Sequence, residues 1–125
     1  MNRTILIVDD ETHIRMLIQQ TLEELEDAGV ELLTASNGEE ALATIEQSKP
    51  NLVFLDVMMP KVSGFDVCER TKKKLGLGDV YIVLLTAKGQ EFDRLKGQQV
   101  GADLYMTKPF DPDALLAKAR EVLGL

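Results

Sequence analysis

The sequence predicts a doubly wound α/β domain with a five-stranded parallel sheet in the order 2-1-3-4-5. Three observations carry that prediction. Apolar runs too brief for a helix recur along the chain, among them Ile5–Val8, Leu52–Leu55 and Val80–Leu85, and such runs read as strands buried on both faces. Between them the hydrophobic spacing changes to that of amphipathic helices. Alternation of this kind implies βαβ units with helices on both faces of one sheet, and 2-1-3-4-5 is one of two common orders for it.

The bounds agree. A chain of 125 residues fits one domain, residues 1–125, with a substantial core. Its composition, 45% apolar and 28% charged, is that of an ordinary globular protein. No apolar run approaches the length of a membrane span, and the N-terminus lacks a signal-peptide pattern. One cysteine, Cys68, excludes an internal disulfide framework and suits a reducing, cytoplasmic setting. The net charge of −7 argues against nucleic-acid binding by this chain. It accords with a metal or a basic protein partner, and equally with a merely solvated acidic surface.

Taken in order, Ile5–Val8 is the first strand and ends at Asp9 and Asp10. Ile14, Leu17, Ile18, Leu22 and Leu25 then recur at helical spacing until Gly29 stops the helix. Val30–Ala35 reads as the second strand. Ser36 and Glu39 stand at capping-box spacing before a helix through Ala41, Leu42 and Ile45 that ends by Pro50. The third strand, Leu52 onward, runs into Asp56, which must lie at its end because a buried strand tolerates no charge within it. A third helix spans Gly64–Leu75, with Phe65, Val67, Cys68 and Leu75 inward. Val80–Leu85 is the fourth strand and ends at Thr86. The segment Gly89–Gly101, anchored by Phe92, Leu95 and Val100 and interrupted by Gly97, reads as a helix of low intrinsic stability. Leu104–Met106 is the fifth strand, ending at Thr107-Lys108-Pro109. Asp111 before Pro112 starts the last helix, with Leu115, Leu116, Ala119, Val122 and Leu123 inward.

In the order 2-1-3-4-5 the first and third strands are neighbours, so Asp9, Asp10 and Asp56 converge at the carboxyl edge, where open α/β sheets bind ligands. Two carboxylates about 5 Å apart repel by roughly 3 kcal/mol at an effective dielectric near 20. Three in one pocket call for a cation or for raised pKa values. All-oxygen ligands suit Mg²⁺, with Mn²⁺ an alternative. Thr86 and Lys108 end strands at the same edge and bring a hydroxyl and an ammonium. Such a set suits phosphoryl chemistry in which a carboxylate attacks and cations neutralise the transferred group. Singly these residues have ordinary explanations: Asp56 as a turn cap, Thr86 as a strand end, Lys108 as a solvated side chain. Their common position at strand ends favours a shared site.

Val8-Asp9-Asp10, Leu55-Asp56-Val57-Met58-Met59-Pro60, Gly64, Thr86-Ala87 and Lys108-Pro109-Phe110 together resemble the motif set of two-component response-regulator receiver domains. The resemblance covers essentially the whole chain and implies a flavodoxin-like (βα)5 fold, similar to a chemotaxis-type single receiver. It implies that Asp56 accepts a phosphoryl group from a phosphohistidine on a sensor histidine kinase or phosphotransfer protein. Asp9, Asp10, Asp56 and the backbone carbonyl of Met58 would hold Mg²⁺, while Thr86 and Lys108 would contact the phosphoryl oxygens. The Lys108–Pro109 bond is expected to be cis. Phosphorylation would draw Thr86 inward and swing Tyr105 from exposed to buried, changing the surface of helix four, strand five and helix five. Without the resemblance, Tyr105 reads as a half-buried strand aromatic. Met58 and Lys88 occupy the positions that tune dephosphorylation.

His13, in the first turn of a helix, reads as solvated, and Cys68 as a small buried apolar residue. A haloacid-dehalogenase-type phosphatase would need an aspartate two residues after the nucleophile, where Met58 stands. A nucleotide- or flavin-binding domain would need a glycine-rich loop after strand one, where Asp9-Asp10-Glu11-Thr12 stands. A degenerate receiver is disfavoured because all five site positions carry the expected residue types. The leading expectation is a switch that catalyses its own phosphorylation and is no turnover enzyme. It is either a single-domain regulator or a receiver from a longer protein, since no output domain follows Leu125. Its target would be a downstream protein or a linked output domain, and its state a monomer or a phosphorylation-dependent dimer.

Overall fold

Strands β1 (Arg3–Val8), β2 (Val30–Ala35), β3 (Leu52–Asp56), β4 (Tyr81–Ala87) and β5 (Leu104–Lys108) form one parallel sheet in the order β2-β1-β3-β4-β5. Helices α1 (Thr12–Leu22), α2 (Gly38–Ser48), α3 (Gly64–Glu69), α4 (Phe92–Gln99) and α5 (Pro112–Leu123) complete the alternation. The computed structural model describes residues 3–87 and 92–125, the side chains at 92–94 excepted.

Successive residues of a strand point to opposite faces, and the core divides accordingly. Leu6, Val8, Val53, Leu55, Ile82 and Leu84 meet Ala41 and Ile45 of α2 and Phe65, Val67 and Cys68 of α3. Ile5, Ile7, Leu52, Phe54, Val83 and Leu85 meet Ile18 and Leu22 of α1 and Leu115, Ala119 and Leu123 of α5. Central strands covered on both sides explain why these runs are apolar without alternation.

Several helices differ in detail from the sequence expectation. Leu17 is 43% exposed; Ile14, Ile18 and Leu22, four apart, form the inner line, and Leu17 falls beside it. Leu25 is buried, but on a 3-10 turn (Glu23–Ala28) that ends at Gly29 in the left-handed region. Helix α2 begins one residue later than Ser36 and Glu39 suggest. Asn37 is its N-cap, accepting the Glu40 N–H at 2.9 Å, and the Glu40 carboxylate reaches back to the Ser36 N–H and hydroxyl. Helix α3 gives way to a π-helical turn over Arg70–Lys74, in which the Leu75 N–H donates to Arg70 O at 2.8 Å. That wider turn changes the helical phase. Thr71 is fully buried, its hydroxyl donating to Val67 O, while Leu75 is only half-buried.

Gly97 does not interrupt α4, which runs through it. A Cβ there would lie 3.2 Å from Leu84 Cδ1 and 3.5 Å from the Tyr105 ring, so the glycine lets α4 approach the sheet closely. The adjoining end of the sheet is fastened by Lys72, whose Nζ donates to Gly78 O, Val80 O and Asp103 Oδ2 at 3.0, 2.6 and 2.7 Å. Helix α5 starts as expected, with the Asp111 side chain accepting the Asp113 N–H and Pro112 in the first turn.

Candidate functional site

Strand register assembles the site. Val8 of β1 is paired with Leu55 of β3, so Asp9 and Asp56 leave the sheet side by side. Asp56 is paired with Leu85 of β4, Thr86 with Thr107 of β5, and Ala87 with Lys108. The five residues singled out in the sequence therefore share one edge. One carboxylate oxygen from each of Asp9, Asp10 and Asp56 lies within 4.8 Å of the others.

Burial differs across the cluster. Asp9 is fully buried, Asp56 is 4% exposed and Thr86 is 1% exposed, whereas Asp10 faces solvent. Lys108 bridges the two buried carboxylates, its Nζ 2.7 Å from Asp9 Oδ2 and 3.1 Å from Asp56 Oδ1. Asp9 Oδ1 also accepts the Glu11 N–H at 2.9 Å, and Asp56 Oδ1 the Met58 N–H at 3.3 Å. The loop beyond Asp56 folds back so that the Gly64 N–H donates to Val57 O at 3.0 Å.

Burial, reinforced by the Asp9 charge, pushes the Asp56 carboxyl up to about 6; Lys108 and the Met58 N–H oppose that rise. Burial also disfavours the Lys108 ammonium. Its hydrogen bond to Asp9 and the charges of Asp56 and Asp9 outweigh this and hold its pKa above the ordinary lysine value. Among the described residues, three carboxylates against one ammonium leave excess negative charge in a partly dry pocket. Its donors are all oxygens, without histidine or thiolate, which fits a hard divalent cation such as Mg²⁺. The raised Asp56 carboxyl is the strain that such a cation would relieve.

The other singled-out residues lie as follows. Met58 is 64% exposed beside the pocket. Tyr105 is half-buried, its ring against Gly97 of α4. The Lys108–Pro109 bond is cis. Lys88 lies outside the described residues. His13 projects into solvent, near Glu11. Cys68 is fully buried, its Sγ 3.5 Å from Val100 O, and burial pushes its thiol up to about 12, so it is inert as a thiolate.

Arg15 of α1, not among the residues singled out in the sequence, also reaches this edge. Its Nη1 donates to Asp9 O at 2.6 Å. The available signal was its place one turn into the helix that follows the acidic pair, within reach of the strand end.

The chain is similar to known proteins over nearly its whole length. The family model described as "Response regulator receiver domain" matches residues 5–120. The alkaline phosphatase synthesis transcriptional regulatory protein PhoP of Bacillus subtilis is 46% identical over 123 residues, 98% of this chain and 49% of that protein. The phosphate regulon transcriptional regulatory protein PhoB of Pseudomonas aeruginosa is likewise 46% identical, over 98% of this chain and 52% of its own length. The chain thus spans about half the length of these curated relatives. Among solved structures, the chemotaxis protein CheY4 of Vibrio cholerae superposes with a TM-score of 0.84 at 32% identity, covering 98% of this chain and 99% of that one.

Proposed function

The chain belongs to the response regulator receiver domain family, and from that premise we propose that Asp56 is the phosphoacceptor of a two-component signalling switch. The observation that carries the proposal is the bridge of Lys108 to both Asp9 and Asp56 inside a pocket of three carboxylates. The donor is a phosphohistidine on a sensor histidine kinase or phosphotransfer protein. A carboxylate oxygen of Asp56 attacks phosphorus, the P–N bond breaks, and the imidazole leaves with the electron pair and gains a proton. Asp56 must be ionised to attack. With its carboxyl raised to about 6 it is mostly ionised at pH 7 to 8, and more basic than an ordinary aspartate.

Asp9, Asp10, Asp56 and the backbone carbonyl of Met58 are the groups that would hold Mg²⁺, or Mn²⁺ in its place. When bound, the cation supplies positive charge against the phosphoryl oxygens in the transition state. Lys108 exchanges its contact with Asp56 for one with the transferred group, adding an ammonium where negative charge accumulates. The Thr86 hydroxyl, one residue beyond the strand partner of Asp56, donates to another phosphoryl oxygen.

The same domain catalyses its own dephosphorylation as water attacks the acyl phosphate. Met58 and Lys88 shape that access. The readout is a movement of Thr86 toward the phosphoryl group, followed by rotation of Tyr105 against α4. This alters the face of α4, β5 and α5 toward a downstream protein, a linked output domain or a second copy of the chain. The relatives named as transcriptional regulators support that kind of output. A cytoplasmic setting follows for the family, and no described helix is long and apolar enough to cross a membrane.

The test is intact mass after incubation with acetyl phosphate. One phosphoryl adduct is expected, dependent on Mg²⁺ and absent in Asp56→Asn. A folded wild-type protein that gains no adduct and releases no phosphate would overturn the assignment of Asp56.

A further inference from the structure

Arg15 has no part in the reaction described above, yet it touches the acidic edge. It lies half-buried on α1, and its guanidinium forks: Nη1 donates to Asp9 O at 2.6 Å and Nη2 to Thr12 Oγ1 at 3.2 Å. Asp9 is thereby fixed from four directions. Its N–H donates to Ala35 O, its carbonyl accepts from Arg15, and its two carboxylate oxygens accept from Glu11 and Lys108. The start of α1 has no side-chain cap of its own, since Glu11 at the N-cap makes no such bond. The passage from β1 into α1 is held instead by the Asp9 carboxylate and the Arg15 fork.

The carbonyl that Arg15 grips belongs to the peptide joining Asp9 to Asp10. Fixing that plane fixes the Asp10 N–Cα bond and so narrows the directions in which the Asp10 side chain can leave the backbone. Asp10 is exposed, and among the described residues its carboxylate is held by no hydrogen bond or ion pair. Its aim therefore depends on its backbone. Resting on the metal site proposed above, we infer that Arg15 is a positioning residue. It orients the Asp9–Asp10 peptide so that both carboxylates face one divalent cation.

A positioning role and a purely electrostatic one predict opposite signs. As a bare positive charge near three carboxylates, the guanidinium would repel a divalent cation, and its removal would tighten binding. As a clamp, its loss lets Asp10 wander and weakens binding. Partners that orient metal-ligating groups typically contribute tenfold or more to affinity.

The measurement is Mg²⁺ affinity of the unphosphorylated protein by calorimetry, with Mn²⁺ affinity from the free-ion electron paramagnetic resonance signal. Arg15→Ala should weaken both by about tenfold, and Arg15→Lys, which keeps the charge but not the fork, should recover part of the loss. Binding by Arg15→Ala as tight as wild type, or tighter, would overturn the inference and leave the metal site standing. Wild-type protein that binds neither ion would instead overturn the metal site, and this inference with it. Should Arg15→Ala fail to fold, Arg15→Lys decides alone: weakened binding at preserved charge supports the clamp, and unchanged binding refutes it.

Discussion

Gly64 passes so close to Asp56 that a Cβ on it would lie 2.2 Å from the Asp56 carbonyl oxygen and 2.8 Å from the Val57 Cα. Both obstacles are backbone, so neither can swing aside as a side chain would. The glycine is required by close approach, at the point where the loop after β3 folds back on itself. Gly64→Ala must push that loop away from the sheet and break the Gly64 N–H bond to Val57 O. We expect a loss of at least about 2 kcal/mol in urea unfolding, at the severe end for overpacking. Phosphoryl uptake should fall even under conditions where the variant stays folded, because Asp56 and Met58 move with the loop. A variant as stable and as reactive as wild type would show that the loop has room to spare.

The raised Asp56 carboxyl has a sign that stability measurements can read. Its folded value is about 6 against 3.8 for an ordinary aspartate, so between those values the folded protein holds a proton that the unfolded chain has released. The stabilisation from that proton is complete below about pH 4 and is lost as pH rises through 6. At pH 8 without divalent cations, the ionised carboxylate therefore weighs against the fold by up to about 3 kcal/mol. Asp56→Asn removes that burden. Urea unfolding should find it more stable than wild type at pH 8, with the gap closing toward pH 4. A gap independent of pH would mean that Asp56 titrates like an exposed aspartate.

Lys108 holds together two roles that substitution should separate. Its ammonium bridges Asp9 and Asp56 in the resting protein, and in the proposed reaction it would offset charge on the phosphoryl group in the transition state. Lys108→Met leaves the carboxylates facing one another, which favours a divalent cation as replacement. Mg²⁺ affinity should stay equal or rise, while the rate of adduct formation from acetyl phosphate falls by on the order of a hundredfold. Parallel loss of metal binding and phosphorylation would indicate that Lys108 merely keeps the pocket in shape.

The strands and the site edge were legible because burial on two faces leaves no freedom. Ile5–Val8 and Leu52–Leu55 contain nothing that could face water, and Val80–Leu85 only Tyr81, which is half-buried at the start of its strand; the first polar residue after the first two runs, like Thr86 after the third, had to mark the edge. The helices were less legible, since one face tolerates nearly any residue. Leu17 matched the apolar spacing yet lies off the buried line, and Leu75 was rotated away by a π-helical turn that no local residue announces. Gly97 illustrates a different limit. A glycine in a helix reads as a break unless the neighbour that requires it is known, and Leu84 and Tyr105 are distant in sequence. Arg15 escaped for a different reason: its place one turn into α1 is visible in the sequence, but its partner is a backbone carbonyl, which no residue type announces.

The start of α2 turns this difference into a measurement. Ser36 and Glu39 fit the capping pattern, but it is the Asn37 side chain that accepts the Glu40 N–H, in the extended conformation expected of an N-cap. Ser36 contributes an exposed hydroxyl contact to the Glu40 carboxylate. Asn37→Ala should therefore cost about 1 kcal/mol, whereas Ser36→Ala should cost no more than about 0.5 kcal/mol, as exposed substitutions usually do. Urea midpoints at constant slope compare the two directly. A larger loss for Ser36→Ala than for Asn37→Ala would move the cap back to the position that the spacing of Ser36 and Glu39 suggests.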